Sequence, residues 1–138
     1  MKKDKNQIKE IAINTINKEA DAIKKLADFV DDDFANVIEL IFNSNGRVIV
    51  SGIGKSAIIA NKMVATFNST GTPSVFMHAA DAIHGDLGLV LEDDIVIILS
   101  KSGNTPEIKV LVPLIKNFGN KIVAIVSNTE SFLAKQAD

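Results

Sequence analysis

Residues 94–107, with the sequence DIVIILSKSGNTPE, join a strand-forming run to a loop of hydroxyls and glycine and then to the start of a helix. The apolar run 95–99 is typical of a strand that is buried on both faces. Pro106 suits the first helical position, where a missing N–H costs nothing. The loop between them offers three hydroxyls and free backbone N–H groups at the positive end of a helix dipole, where an anion is stabilised. This stretch therefore predicts an α/β fold with a phosphate-binding loop at a strand end.

A second loop of similar design comes earlier in the sequence. Residues 51–56, SGIGKS, follow Arg47 and the apolar run 48–50. The spacing of Gly52 and Gly54 does not match a dinucleotide fingerprint, which needs a third glycine where Ala57 stands. It does not match a Walker A loop either, because that loop has four residues between its first glycine and Gly-Lys-Ser. Nucleotide binding is therefore disfavoured. Two such loops in one small domain indicate that the ligand is a phosphorylated small molecule.

The rest of the chain from residue 47 alternates between strand and helix patterns, which predicts βαβ units with right-handed crossovers and a doubly wound parallel sheet. We expect ligands beyond the carboxyl ends of its strands, near a topological switch point. The strands are predicted at 47–51, 74–77, 94–99 and 121–126, and the helices at 55–70, 106–118 and, as a short last helix, from 127. In helix 55–70 the residues expected to face inward are Ile58, Ile59, Met63, Val64 and Phe67.

The first 45 residues have a different pattern, which predicts helices alone. Apolar residues at three-and-four spacing predict one helix over 6–30 and a second that begins near Phe34. The three aspartates at 31–33 are interpreted as helix caps, because nothing nearby completes a metal-ligand set. We expect residues 1–45 to form N-terminal helices that pack on the core or on a partner, and residues 46–138 to form the ligand-binding domain.

Composition excludes several other classes of function. The net charge is −2 and no basic tract is present, so nucleic-acid binding has no support. The chain has no cysteine, which excludes disulfides and thiolate metal sites. No apolar stretch follows the basic start as a secretory signal requires, and none is long enough to span a membrane. The expected location is therefore the cytoplasm.

The candidate catalytic side chains also lie near the predicted loops. Lys55 stands in the loop 51–56 and Glu107 directly follows the loop after the run 95–99, so both are expected at the same mouth of the sheet. His78 and His84 are the only histidines, and their spacing is not that of a helical zinc motif. They are interpreted either as site residues or as surface histidines. From these residues alone we predict a domain that binds a sugar phosphate or a similar anion, with Lys–Glu–His chemistry.

The combined pattern Ser100-x-Ser102-Gly103-x-Thr105-x-Glu107 and Gly52-x-Gly54-Lys55-Ser56 resembles that of the SIS (sugar isomerase) domain family. The stretches STGTP at 69–73 and HAADAIHGDLG at 78–88 resemble its arabinose-5-phosphate isomerase branch. The resemblance extends over about residues 6–138. It implies a flavodoxin-like, three-layer αβα fold.

The resemblance also implies an activity and a set of site residues. The activity is the interconversion of D-arabinose 5-phosphate and D-ribulose 5-phosphate through an enediol, which serves Kdo synthesis for lipopolysaccharide or capsule. Lys55 and Glu107 match catalytic positions. Substrate-binding positions are matched by Gly54, Ser56, Gly71, Thr72, His78, His84, Ser100, Ser102, Asn104 and Thr105. No cofactor is required, although His78 also matches a position linked to an inhibitory zinc ion, and the family implies self-association as a dimer or tetramer.

The family pattern continues beyond residue 138, with a fifth strand, a second glutamate, a third histidine and, in many members, tandem CBS domains. We therefore expect this chain to lack the C-terminal part of the domain and to have no CBS domains. Two alternatives to the arabinose-5-phosphate activity stay open. One is a non-catalytic module that binds a sugar phosphate. The other is a different SIS isomerase, such as a phosphohexulose isomerase, against which the stretch HGDLG at 84–88 argues.

Overall fold

A parallel sheet of four strands is built from the part of the chain that begins at Leu40, in a computed structural model that describes residues 4–138. The strands are β1 (Val48–Gly52), β2 (Ser74–His78), β3 (Ile95–Ser100) and β4 (Ile122–Val126), and their order across the sheet is β2-β1-β3-β4. All three strand pairs are parallel. The doubly wound α/β prediction is therefore confirmed, and the switch point lies between β1 and β3 because the chain leaves these two strands in opposite directions.

Helices cover both faces of the sheet and complete three layers. These helices are α3 (Lys55–Ser69), α4 (Ala79–Ala82), α5 (Pro106–Phe118) and α6 (Phe132–Gln136). On one face, Ile49 and Ile98 pack in a buried cluster with α4, α5 and α6. On the other face, Val50 and Ile97 pack against α3. Successive residues of each strand point to opposite faces, which explains why continuous apolar runs form the buried strands.

The inward face of α3 differs from the one predicted. Ile58 and Ile59 are 70% and 56% exposed, so their prediction as core residues was wrong. The residues of α3 that are buried are Ala57, Ala60 and Val64, while Met63 and Phe67 are half-buried against the core, as predicted. The reason is close approach: a Cβ on Gly52 would lie only 3.0 Å from the carbonyl carbon of Ser56. A helix that passes so near the sheet has room there for alanine but not for isoleucine.

The segment after β4 also departs from the prediction, because its helix begins later. Helix α6 starts at Phe132, where Ser131 is the N-cap and accepts a hydrogen bond from the Ala134 N–H at 3.3 Å. The residues from 127 instead form a turn, in which the Asn128 side-chain oxygen accepts from the Glu130 N–H at 2.9 Å. Asparagine favours both such turns and helix caps. Its presence at 128 therefore does not distinguish a turn from a helix start, and the predicted helix begins too early.

The first unit of the structure, which ends at Glu39, is helical. Helix α1 (Lys5–Lys25) is followed by a 3₁₀ helix (Leu26–Phe29), so the single helix predicted over 6–30 is broken near its end. Helix α2 (Asp32–Asn43) runs across the division between the two units. Asp31 accepts a hydrogen bond from the Phe34 N–H at 3.1 Å, which confirms a capping role for this aspartate, while Asp32 and Asp33 lie in the first turn of α2, where the helix dipole favours negative charge. None of the helices formed by residues 4–138 has both the length and the apolar character needed to cross a lipid bilayer.

Candidate functional site

The candidate site lies at the carboxyl edge of the sheet, beside the switch point. The register pairs Gly52, the last residue of β1, with His78 of β2 and with Leu99 of β3, so these strand ends are level. The loops that leave β1 and β3 therefore begin at the same edge. Open parallel sheets bind their ligands in the crevice between two such diverging loops.

A cleft of about 410 Å³ occupies this crevice. Its walls come from the loops after β1, β3 and β4, and most of them are polar. The lining residues are Ile53, Ser56, Ser100, Lys101, Ser102, Asn104, Thr105, Ser127 and Asn128. Five of the residues predicted to bind substrate are thus brought together, namely Ser56, Ser100, Ser102, Asn104 and Thr105.

The loop after β3 is organised by its own hydroxyls. The Gly103 N–H donates to the Ser100 side-chain oxygen at 3.1 Å, and the Asn104 N–H donates to the Ser102 side-chain oxygen at 3.3 Å. In both bonds the serine is the acceptor, so its hydroxyl hydrogen is still available to a ligand oxygen. Two serines thus shape the loop and retain a donor each for an anion.

Thr105 is the N-cap residue of α5, yet its hydroxyl does not cap the helix. Among residues 4–138 this hydroxyl is buried and has no hydrogen-bond partner. Pro106 occupies the first turn of the helix, and the first turn of α3 likewise follows a residue without a side-chain cap, Gly54. Buried hydroxyls and the first N–H groups of a helix normally find a partner. At this mouth an anionic ligand would supply one.

The segment between β4 and α6 closes the site from the third side. The Lys101 carbonyl accepts from both the side-chain hydroxyl and the backbone N–H of Ser127, at 2.6 and 3.2 Å. The Asn104 side-chain oxygen accepts from the Phe132 N–H at 3.0 Å, and the Gly103 carbonyl accepts from the Leu133 N–H at 3.0 Å. The loop after β3 is therefore held from outside as well as from within.

Sequence reasoning missed four of the lining residues, and one signal pointed to two of them. Ser127 and Asn128 directly follow β4, whose carboxyl end lies at the same edge of a parallel sheet. A polar pair at that place is a signal for the site, although the same residue types also favour the helix start that the sequence predicts from 127. Lys101 and Ile53 stand inside the two predicted loops, and no pattern singles them out from their neighbours.

The residues predicted as catalytic lie next to the cleft but do not line it. Lys55 is exposed in the first turn of α3, one residue before Ser56. Glu107 is half-buried in the first turn of α5, two residues after Thr105. Both residues lie at helix starts that face the mouth of the cleft. Because neither of them lines the cleft, their catalytic roles stay predictions.

The remaining predicted site residues are dispersed. Gly71 and Thr72 precede β2, and the Val48 N–H donates to the carbonyl of Pro73, so this turn lies at the amino edge, opposite the cleft. His84 is exposed in the turn after α4. None of these three residues lines the cleft, and their contacts with substrate stay predictions.

His78 ends β2 at the carboxyl edge, with its Nδ1 atom 3.5 Å from an Asp81 carboxylate oxygen. Within the part of the chain that the structure describes, no three histidine, aspartate or glutamate side chains lie close enough to hold a metal ion. The zinc position suggested for His78 is therefore not supported.

Comparison with known proteins gives one consistent group of relatives. Residues 40–138 match the model of the SIS domain family. The chain is 50% identical over 128 residues to a probable arabinose 5-phosphate isomerase of Haemophilus influenzae, and 47% identical over 127 residues to the arabinose 5-phosphate isomerase KdsD of Pseudomonas aeruginosa. These alignments cover 93% and 92% of this chain but 38% and 39% of the relatives, so the chain spans about two fifths of their length.

Solved structures with the same fold include two that match nearly the whole chain. A protein of Escherichia coli CFT073, solved in complex with arabinose 5-phosphate, has a TM-score of 0.91 and 39% identity, and the match covers 99% of this chain and 72% of the other. A protein of Listeria monocytogenes, whose structure was solved under the description "putative sugar-phosphate isomerase", has a TM-score of 0.93 and 36% identity, with the same coverage.

Proposed function

This chain belongs to the SIS domain family, and from that premise we propose that its cleft binds the phosphate group of a five-carbon sugar phosphate. We further propose that the protein interconverts D-arabinose 5-phosphate and D-ribulose 5-phosphate. One observation carries the first step: the buried Thr105 hydroxyl, which lacks a partner among residues 4–138, stands at a helix start amid other hydroxyls in the cleft. The second step rests on the relatives named as arabinose 5-phosphate isomerases.

The lining of the cleft supports a dianionic ester as the ligand. The hydroxyls of Ser56, Ser100, Ser102 and Thr105 are hydrogen-bond donors, and Lys101 adds a positive charge. Hydrogen bonds to a charged acceptor are stronger than neutral ones, so several donors on one phosphate give substantial affinity. The phosphate is remote from the reacting carbons, and its binding energy therefore serves to orient them.

The proposed reaction needs one base and one group that stabilises negative charge. The base removes a proton from C2 of the aldose, the enediol forms, the proton is delivered to C1, and the hydroxyl proton moves from O2 to O1. We propose Glu107 as the base and Lys55 as the group that stabilises the developing oxyanion. Both lie in the first turn of a helix at the mouth of the cleft. The role in Kdo synthesis, the cytoplasmic location and independence from a cofactor stay predictions.

Binding and turnover test this proposal in one set of measurements. By titration calorimetry we expect D-arabinose 5-phosphate to bind at least about tenfold more tightly than D-arabinose, because one charge-assisted hydrogen bond contributes that much or more. In a coupled assay for D-ribulose 5-phosphate, Glu107→Gln is expected to lower turnover on the order of 10²-fold while binding is retained. Equal affinity for both sugars would contradict the phosphate site. Tight binding without turnover by the unaltered chain would support the non-catalytic module instead.

Self-association is a further part of the proposal, supported by helix α1. None of its 21 residues is buried, and Ile16 and Ile23 are 63% and 67% exposed. A long apolar face left in water favours burial against another molecule, here a second copy of the chain. We expect a dimer or larger by light scattering at micromolar concentration, and a monomer for the variant Ile16→Glu/Ile23→Glu. Lys18→Glu, on the same helix, is the control and should leave the mass unchanged.

A further inference from the structure

The orientation of one peptide group at the cleft depends on a residue from a different loop. Ser127, which follows β4, donates two hydrogen bonds to the Lys101 carbonyl, one from its hydroxyl at 2.6 Å and one from its backbone N–H at 3.2 Å. A carbonyl oxygen has two lone pairs, so these bonds satisfy it completely. The Lys101 carbonyl is thereby fixed on the side of β4.

The next N–H group must then point the other way. The peptide bonds of residues 4–138 are all trans, and in a trans peptide the N–H points opposite to the C=O of the same unit. Because β3 lies between β1 and β4, the Ser102 N–H points away from β4 and toward the switch point beside β1. None of the hydrogen bonds within residues 4–138 uses this N–H as a donor.

We propose that Ser127 is a positioning residue, which turns the Lys101–Ser102 peptide so that the Ser102 N–H donates to the phosphate in the cleft. This inference rests on the proposed sugar-phosphate site and adds to it a residue from the β4 loop. Ser127 does not need to touch the reacting carbons for this role. Its hydroxyl acts through the Lys101 carbonyl, and its effect is on the phosphate end of the ligand.

The test compares three variants by titration calorimetry with D-arabinose 5-phosphate and D-arabinose. Ser127→Ala removes the hydroxyl bond and should weaken binding of the phosphate by about fivefold, the effect of one net hydrogen bond, while binding of D-arabinose is unchanged. Ser127→Thr keeps a hydroxyl and should bind as the unaltered chain does. The matched control is Ser44→Ala, which removes a serine hydroxyl bonded at 3.1 Å to the Asp93 carbonyl.

A second measurement does not depend on ligand binding. The amide resonance of Ser102 should shift in Ser127→Ala and stay in place in Ser44→Ala. Unchanged phosphate affinity in Ser127→Ala, or an equal loss in Ser44→Ala, would overturn the positioning role. If the unaltered chain fails to bind the phosphate at all, the proposed function fails. The resonance still tests the orientation of the Lys101–Ser102 peptide in that case. A Ser102 resonance that shifts in Ser127→Ala supports the orientation, and one that does not shift overturns it.

Discussion

Replacing Asp94 with asparagine is expected to lower the free energy of unfolding by about 2–3 kcal/mol, because hydrogen bonds to a buried charged group are lost while the exposed part of the Arg47 side chain stays solvated. Asp94 is 2% exposed and lies at the amino edge of β3. One carboxylate oxygen accepts from the Arg47 backbone N–H at 2.8 Å and from its Nε at 3.2 Å, and the other accepts from Arg47 Nη2 at 2.7 Å and from the Leu91 N–H at 2.9 Å. An asparagine would direct its NH₂ group at two of these four donors and leave Arg47 without its counter-charge.

The same carboxylate gives a pH dependence of known sign. Burial raises the pKa of Asp94. Hydrogen bonds from the Arg47 side chain and from the backbone of Leu91 and Arg47 lower this pKa by a larger amount, so the net pKa is lowered. A lowered pKa means that the stabilisation is present above the unfolded value of about 3.9 and is lost as the pH falls through the folded value. We therefore expect the unaltered chain to lose stability on acidification below about pH 4 more steeply than Asp94→Asn does.

Denaturant unfolding at pH 7 and at several lower pH values measures both effects. The control is Asp93→Asn, which neutralises the neighbouring, exposed aspartate and should leave the unfolding midpoint unchanged. Some acid dependence should persist in Asp94→Asn, since the pKa of Asp138 is also lowered: burial raises it, and bonds from Lys121 and Ile122 more than offset that. An unfolding midpoint of Asp94→Asn equal to that of the unaltered chain would contradict the prediction.

The fold was predictable because its strongest signals are local. The runs that became β1 and β3 are continuous and apolar, and the loops after them have a composition that suits a strand end. The strand order could not be predicted with the same ease, because it depends on packing between elements distant in the sequence. The prediction of the inward face of α3 was wrong for a related reason. Ile58 and Ile59 are the more hydrophobic residues, but the distance between helix and sheet at Gly52 selects Ala57 and Ala60.

The candidate site was predictable to the extent that it is made of loops at strand ends. The serines and Thr105 line the cleft because two neighbouring parallel strands end at the same edge. The position of Ser127 after a strand indicates this edge of the sheet, but its hydrogen bonds to the Lys101 carbonyl depend on the pairing of β4 with β3, which the sequence does not reveal. Thr72, by contrast, precedes its strand, so a parallel sheet already implies that it lies at the opposite edge from the cleft.

Gly103→Ala is expected to lower the free energy of unfolding by about 3 kcal/mol and to reduce affinity for D-arabinose 5-phosphate by more than about tenfold. Gly103 has φ +65°, a conformation that costs an L-residue about 1–2 kcal/mol. In addition, its new Cβ would lie 2.2 Å from the Ser131 side-chain oxygen and 2.5 Å from the Ser131 Cβ. Ser131 is the N-cap of α6, and the Gly103 carbonyl accepts a hydrogen bond from the Leu133 N–H. A shift of either Ser131 or Gly103 away from the new Cβ contact would therefore also move the start of α6.

Two other glycines separate the causes of this loss. Gly119 has φ +84° with no atom within 4 Å of an added Cβ among the described residues, so Gly119→Ala measures the backbone strain alone and should cost about 1–2 kcal/mol. Gly88, away from the left-handed region, has equally open surroundings within residues 4–138, so Gly88→Ala should be nearly neutral. Denaturant unfolding gives the stabilities, and calorimetry under conditions where each variant is folded gives the affinities. If Gly103→Ala loses no more stability than Gly119→Ala and still binds the phosphate, then the contact with Ser131 does not shape the loop, and the β4–α6 segment has no part in holding the site.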